Sequence, residues 1–362
     1  MPEPPIPLID VRAQLAPFAR ELEQRFRDVL ESAEFVRGPH FRAFEEEAAA
    51  YLGVRTTVGV ANGTDAIVLV LDALGIGPGD EVVCPAFTFY ATAEAIARRG
   101  ATPVFADIDP VTLDLDPEDA ARRVTKRTRA IMPVHLFGRP APVAELRELG
   151  LPVIEDAAQA FGAPGTATSI ASTYSFYPTK NLFCLGDGGL VAANDDELGE
   201  RVRALAFHGS RDKVAFELVG YNSRLDELQA AMLRVFLPQL DAWNRARREA
   251  AQRYRELGID EVCEPPQDEP GHVYHLFVCR SPERDAIRAA LHEAGIASGV
   301  YYTTPLHLQP ALRFLGWEEG SLPETERAAR ENFSLPLWAG IDAATQERVA
   351  EVVRSSVTVR AA

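Results

Sequence analysis

Between Thr56 and Asp156 the chain alternates short apolar runs, TTVGVA, DEVVCP, TPVFAD, TRAIMPV and LPVIED, with helix-like stretches such as TDAIVLVLDALG and YATAEAIARRG. Few architectures satisfy that pattern. A strand that is apolar along its whole length needs cover on both faces, and helices inserted between such strands provide it. SIASTYSFY and GGLVAAN read as two further strands on either side of Lys180. The expectation is an α/β fold with a large, mostly parallel, seven-stranded sheet. Upstream, the periodicity predicts helices from Phe18 to Ser32 and from His40 to Leu52. Downstream, one long helix is expected from Leu225 to Leu257, kinked by Pro238. Beyond it HVYHLFVCR reads as a strand, SPERDAIRAALHEAG as a helix and ASGVYYT as a strand, which predicts a smaller C-terminal α/β domain. The boundary is placed inside the long helix, giving a large domain over 1–235 and a small one over 236–362.

In such sheets ligands sit where the loops leave the carboxyl ends of the strands, so chemistry is sought there. Lys180 lies in SFYPTKNLFCLGDGG, between a strand and a glycine-rich turn. Most lysines are solvated surface groups, but this chain holds only three, Lys126, Lys180 and Lys213, among 37 basic residues. Lys126 in VTKRTR and Lys213 in SRDKVAF occupy polar settings. A desolvated lysine can present the neutral amine that a Schiff base requires, which arginine cannot. In LPVIEDAAQAFG, an apolar strand ends in Glu155-Asp156 and continues to Gln159. Asp156 is placed to hold the proton on a pyridine-type ring nitrogen, and Gln159 to donate to a ring hydroxyl. The same carboxylate would equally suit an ordinary polar strand exit. ANGTDAI brings Gly63 and Thr64 to a helix start, where free amides attract anions, although most such turns are simple caps. Ser175 offers a hydroxyl nearby in sequence to Lys180. Phe87, Phe89 and Tyr90 follow a strand, and one such ring can stack on a planar cofactor.

Other chemistries find little support. A net charge of −16 and an isoelectric point near 5.0 argue against a broad nucleic-acid or anionic-membrane surface. Cys84, Cys184, Cys263 and Cys279 form no CxxC pair, so neither a zinc knuckle nor a disulfide scaffold is expected. His272 and His275 form an HxxH pair, but on a strand they would face opposite sides, and no metal site is expected. Neither a Walker loop, a GxGxxG pattern nor a GxSxG elbow is present. With no leader-like start and no long apolar stretch, a cytoplasmic protein is expected.

Taken in order, FRAFEEEAAAYLGV, ANGTDAI, TFYATAEAI, EDAAQAFGA, SFYPTKN, GDGG, GYNSRLDELQAA and PLHLQPA resemble the DegT/DnrJ/EryC1/StrS family of pyridoxal-phosphate-dependent sugar aminotransferases across the whole chain. The resemblance implies a type I aminotransferase fold and a homodimer with active sites at the subunit interface. It implies that Lys180 forms the Schiff base with pyridoxal 5′-phosphate and shuttles the proton, and that Asp156 pairs with the ring nitrogen. Gln159 would meet the ring oxygen, Phe89 would stack, and Gly63, Thr64 and Ser175 would bind the phosphate. Asn222 would join them from the neighbouring subunit; nothing else in the sequence points to it. Arg224 is then a candidate for a carboxylate or diphosphate, and His307 for the sugar.

The implied reaction moves an amine from an amino acid, L-glutamate in most of the family, through the pyridoxamine form of the cofactor, onto a nucleotide-linked keto sugar. Some relatives replace the lysine with histidine and remove a hydroxyl, a branch that Lys180 argues against. The form around Lys180 resembles members that aminate C3 of a dTDP- or UDP-linked hexose. Alternatives are a 4-keto sugar, a cyclitol ketone, a dehydratase or a non-catalytic ligand-binding protein. Phe183-Cys184 depart from the small residues usual after KNL, and the segment from Gly165 to Ser175 is short; both are expected near the substrate entrance.

Overall fold

The computed structural model describes residues 4–358. Its large sheet is built from β1 (Thr56–Val60), β2 (Glu81–Pro85), β3 (Thr102–Ala106), β4 (Thr128–Ile131), β5 (Ile154–Asp156), β6 (Ala171–Ser175) and β7 (Gly189–Ala193). Ladders order them as β1-β7-β6-β5 and β3-β2-β4. Parallel bridges Ile131↔Val153 and Val134↔Asp156 join the two groups across β4 and β5. The expected seven strands therefore lie in one layer. Only β7 runs against the others, pairing antiparallel with both β1 and β6, while the remaining ladders are parallel.

Side-chain alternation along the strands explains why both faces need helices. Val191 and Ala193 of β7 pack with the helices Gly63–Ala73 and Asp196–Ala206 on one side. Leu190 and Ala192, one residue out of phase, pack with Tyr174, Phe176 and the helices Pro39–Leu52 and Glu227–Phe236 on the other. This is the three-layer arrangement that wholly apolar strands demand.

The helix Pro39–Leu52 starts at Gly38, which has no side chain to cap it. The cap comes from far away in sequence. Glu227, 1% exposed, accepts from the backbone N–H of His40 at 2.6 Å and of Phe41 at 2.9 Å. A Cβ on residue 38 would lie 2.6 Å from that carboxyl carbon and would push the capping carboxylate from its place. Glu227→Ala leaves the buried Phe41 N–H and the part-buried His40 N–H without their acceptor and is expected to cost about 1–3 kcal/mol, read as a lower urea midpoint; an unchanged midpoint would show that the cap is dispensable.

Downstream of the sheet three expectations need correction. The long helix is two helices, Glu227–Phe236 and Leu240–Glu256, separated by the 3-10 turn Leu237–Gln239 that contains Pro238. Proline lacks the N–H that would continue the ladder, so the chain tightens there. HVYHLFVCR is a strand only as β8, Phe277–Arg280, which pairs antiparallel with β9, Asn332–Leu335. Its first half turns instead: Tyr274 has φ +45°, and Val273 N–H donates to Gly138 O at 2.9 Å. ASGVYYT contributes only an isolated bridge, Gly299↔Ser334. A separate core forms around Tyr254, Phe277, Ile287, Leu291, Phe333 and Val349, and Ile6 crosses from the start of the chain to join it. Among the described residues no helix is long and apolar enough to cross a membrane.

Candidate active site

The parallel strands all end on one edge of the sheet, and Gly63, Thr64, Phe89, Asp156, Gln159, Ser175 and Lys180 lie at the strand ends or in the segments leaving them. β5 ends in Glu155 and Asp156, whose side chains face opposite sides. Glu155 is consumed structurally: it meets His135 Nε2 at 2.7 Å and accepts backbone N–H groups from Ala167, Thr168 and Ser169 at 2.7–2.9 Å. Asp156 turns the other way and is 5% exposed. Its Oδ2 accepts from Thr92 Oγ1 at 2.8 Å, and its Oδ1 from Ala158 N–H at 3.3 Å. Burial pushes its carboxyl above the usual carboxylate range, against the pull of Thr92, Ala158 and the Lys180 charge.

Lys180 is half-buried in the loop after β6, in a turn where its N–H donates to Tyr177 O at 2.8 Å. The adjacent Asn181 locks the loop, its Nδ2 donating to Asn244 Oδ1 at 2.8 Å and to Val273 O at 2.9 Å. Desolvation lowers the Lys180 amine to about 8, against the opposing pull of Asp156. At pH 7 roughly one amine in ten is then neutral, against about one in three thousand for an ordinary lysine. That is the state a carbonyl-trapping nucleophile needs. Lys126 and Lys213 are exposed.

At the β1 exit, Asn62 caps the helix Gly63–Ala73 by accepting from Asp65 N–H at 2.8 Å. Gly63 lies directly against Ser175 at the end of β6: a Cβ on Gly63 would sit 2.8 Å from Ser175 Cβ. On Gly189, which opens β7, a Cβ would come within 2.4 Å of Asn62 carbonyl atoms. These contacts draw the helix start, with Gly63 and Thr64, up to the Ser175 hydroxyl. A helix amino end beside a hydroxyl is suited to a phosphate.

Gln159 is buried. Its Oε1 accepts from Phe137 N–H at 2.8 Å, and its Nε2 donates to Tyr302 Oη at 3.1 Å. Phe89 is 57% exposed with its ring 6.1 Å from that of Tyr302, so it is an aromatic face open toward the loops. A desolvated amine, a buried carboxylate, an amide, an exposed aromatic face and a helix amino end with a hydroxyl together fit pyridoxal 5′-phosphate.

Three sequence-derived candidates bond to other partners. Asn222 is exposed and bonded through Oδ1 to Arg224 Nη2. Arg224 lies 5.6 Å from the Phe207 ring centre, which Arg37 and Lys213 also approach, at 4.4 and 4.9 Å. His307 is buried, with Nε2 3.1 Å from Glu326 Oε1 and its ring edge-on to Trp317. Phe183 and Cys184 are buried, not at an entrance: Phe183 stacks on Phe236 and Trp243 with centroids 4.8 and 5.9 Å apart. His272 stacks on Tyr274 at 3.8 Å in a turn, so the strand geometry invoked for the HxxH pair does not apply. Among the described residues no group of three or more His, Cys, Asp or Glu is placed to hold a metal. Thr92, Tyr302 and Phe137, which touch Asp156 and Gln159, were not identifiable as site residues beforehand; the one sequence signal was the hydroxyl pair Thr88 and Thr92 at helical spacing.

Comparison with known proteins places the chain in a family. The chain is 44% identical over 362 residues to a pleiotropic regulatory protein of Geobacillus stearothermophilus, covering 96% of this chain and 97% of that one. It is 42% identical over 366 residues to dTDP-3-amino-3,4,6-trideoxy-alpha-D-glucose transaminase of Streptomyces venezuelae, covering 97% and 96%. The crystal structure of S. venezuelae DesV in complex with a ketimine intermediate superposes with a TM-score of 0.93 at 41% identity, covering 98% of each chain. A profile of the DegT/DnrJ/EryC1/StrS aminotransferase family matches residues 18–354, and the chain belongs to that family.

Proposed function

We propose that this protein is a pyridoxal 5′-phosphate-dependent aminotransferase that moves an amine from an amino acid, L-glutamate foremost, to C3 of a dTDP- or UDP-linked keto hexose in amino-sugar biosynthesis. The observation that carries the reading is that Lys180, in the loop after β6, and the buried Asp156, at the end of the neighbouring parallel strand β5, lie at the same sheet edge and feel each other's charge. When bound, the cofactor would supply the electron sink that lets an amine leave one carbon and join another.

The chain supplies the rest. Lys180 Nζ holds the cofactor covalently and, once released, takes and returns the proton at the donor's α-carbon. Asp156 holds the proton on the ring nitrogen, Gln159 donates to the ring oxygen, and Phe89 covers a ring face. Gly63, Thr64 and Ser175 take the phosphate, with Asn222 contributed by a second copy in a homodimer. Arg224, gathered with Arg37 and Lys213 around Phe207, gives a cationic patch suited to a diphosphate or carboxylate. His307 is assigned to the sugar. We place the two-domain division, 1–235 and 236–362, at the helix break by Pro238, with Ile6 packing on the smaller unit, and the protein in the cytoplasm.

The lowered lysine sets a pH dependence. Because the neutral amine is the reactive form, cofactor capture by the cofactor-free protein should rise about tenfold per pH unit below 8 and level off above it. Absorbance after rapid mixing checks this; a rise continuing to pH 10 would mean the amine is not desolvated.

The function is tested by incubating the holoenzyme with L-glutamate and a panel of 3-keto and 4-keto nucleotide sugars and a cyclitol ketone, following product mass and the position of the new amine. The 3-keto sugars are expected to be aminated. Amination confined to a 4-keto sugar or the cyclitol ketone would overturn the acceptor, and failure of glutamate to convert the cofactor to its amine form would overturn the donor.

A further inference from the structure

Asp156 is held more tightly than a charge partner alone requires. Its backbone is fixed on both sides: its N–H donates to Pro133 O at 2.9 Å, its carbonyl accepts from His135 N–H at 3.0 Å, and Ala157 N–H donates to Thr173 O at 2.9 Å. What remains is the side-chain rotation. Thr92, fully buried, donates to Oδ2 at 2.8 Å, and the buried Thr88 places its own hydroxyl oxygen 3.3 Å from that of Thr92. A hydroxyl has one proton to give. With Thr92's proton committed to the carboxylate, Thr88 must donate to Thr92, so the relay runs in one sense, Thr88 to Thr92 to Asp156. The other carboxylate oxygen keeps only the 3.3 Å contact from Ala158 N–H.

We propose that Thr92, oriented by Thr88, is a positioning residue that keeps Asp156 ionised and turned so that Oδ1 is left for the ring nitrogen of the cofactor. This rests on the assignment of Asp156 to that nitrogen. The warrant is electrostatic. Burial favours the neutral acid, and a hydroxyl aimed at the ionised carboxylate opposes it in the low-dielectric interior, where such bonds are strong. Without it, Oδ2 is desolvated and unpaired, Thr88 loses its acceptor, and the acid holds the ring proton less firmly.

The test uses holoenzymes of Thr92→Val, Thr92→Ala, Thr92→Ser and Asp156→Asn. Two quantities are read: the rate of the L-glutamate half-reaction, and the pH profile of the bound cofactor's visible absorbance. Thr92→Val and Thr92→Ala are expected to slow the half-reaction about tenfold, shift the pH profile and leave the KM for glutamate nearly unchanged. Thr92→Ser should restore both readouts to within about twofold. Wild-type rate and profile in Thr92→Val and Thr92→Ala, with Asp156→Asn impaired, overturn the role of Thr92 and leave that of Asp156 standing. A loss with valine that alanine does not share marks crowding and likewise overturns the proposal. An unimpaired Asp156→Asn overturns both assignments.

Discussion

Lys180→Ala is expected to lower overall turnover by at least about a thousandfold, because in the proposed reaction it removes a covalent tether and a proton carrier in one step. The other lysines cannot substitute, since Lys126 and Lys213 are exposed outside this loop. Lys180→Arg should fail to a similar degree: a guanidinium stays protonated and offers no neutral amine to a carbonyl. The loop itself should survive either change, because Asn181 anchors it independently to Asn244 and Val273. The direct measurement is borohydride reduction followed by peptide mass analysis. Cofactor should be fixed to the peptide containing residue 180 in the wild type and to no peptide in the variants. Cofactor still fixed in Lys180→Ala would end the assignment. Turnover near wild type without fixation would show that the reaction needs no tether, an equally fatal result.

The parts of the fold that could be read in advance are those where one physical requirement dominates. Strands β1 to β7 are covered on both faces, so their apolar character stands out against the turns. Elements whose shape depends on distant contacts were illegible. His272 to Leu276 has strand-like composition, yet it turns because Val273 and Leu276 bond to the Phe137-Gly138 turn and Tyr274 takes a positive φ. The helix at Pro39 shows no local cap because its acceptor, Glu227, is 187 residues away from His40. The site divides similarly. Lys180, Asp156 and Gln159 are residue types whose chemistry few others offer, and each lies at or beyond the carboxyl end of a strand. Thr92 and Tyr302 matter only through hydrogen bonds spanning 64 and 143 residues, and no local pattern encodes those. Phe183 misled for the converse reason: its departure from the small residues usual after KNL suggested a place near the substrate entrance, whereas the space it fills is the aromatic core of Phe236 and Trp243.

Asp156→Asn should slow the glutamate half-reaction by about a hundredfold while leaving the fold and cofactor attachment intact. The side chains are nearly isosteric, and Thr92 can still donate to the amide oxygen. What changes is charge. An ionised partner in contact shifts a titrating group by about 1–3 pKa units, each unit a factor of ten in protonation equilibrium. Asparagine therefore forfeits about that much of the ring nitrogen's hold on its proton, and with it the electron sink. The effect should depend on pH with a definite sign. Once the carboxylate no longer holds the ring proton, that proton leaves at lower pH, so the loss should be smallest in acid and grow as pH rises. Activity and the pH profile of cofactor absorbance should shift together. A loss independent of pH, with an unchanged absorbance profile, would mean that Asp156 supports the loop rather than the ring, and the site would need a different partner for that nitrogen.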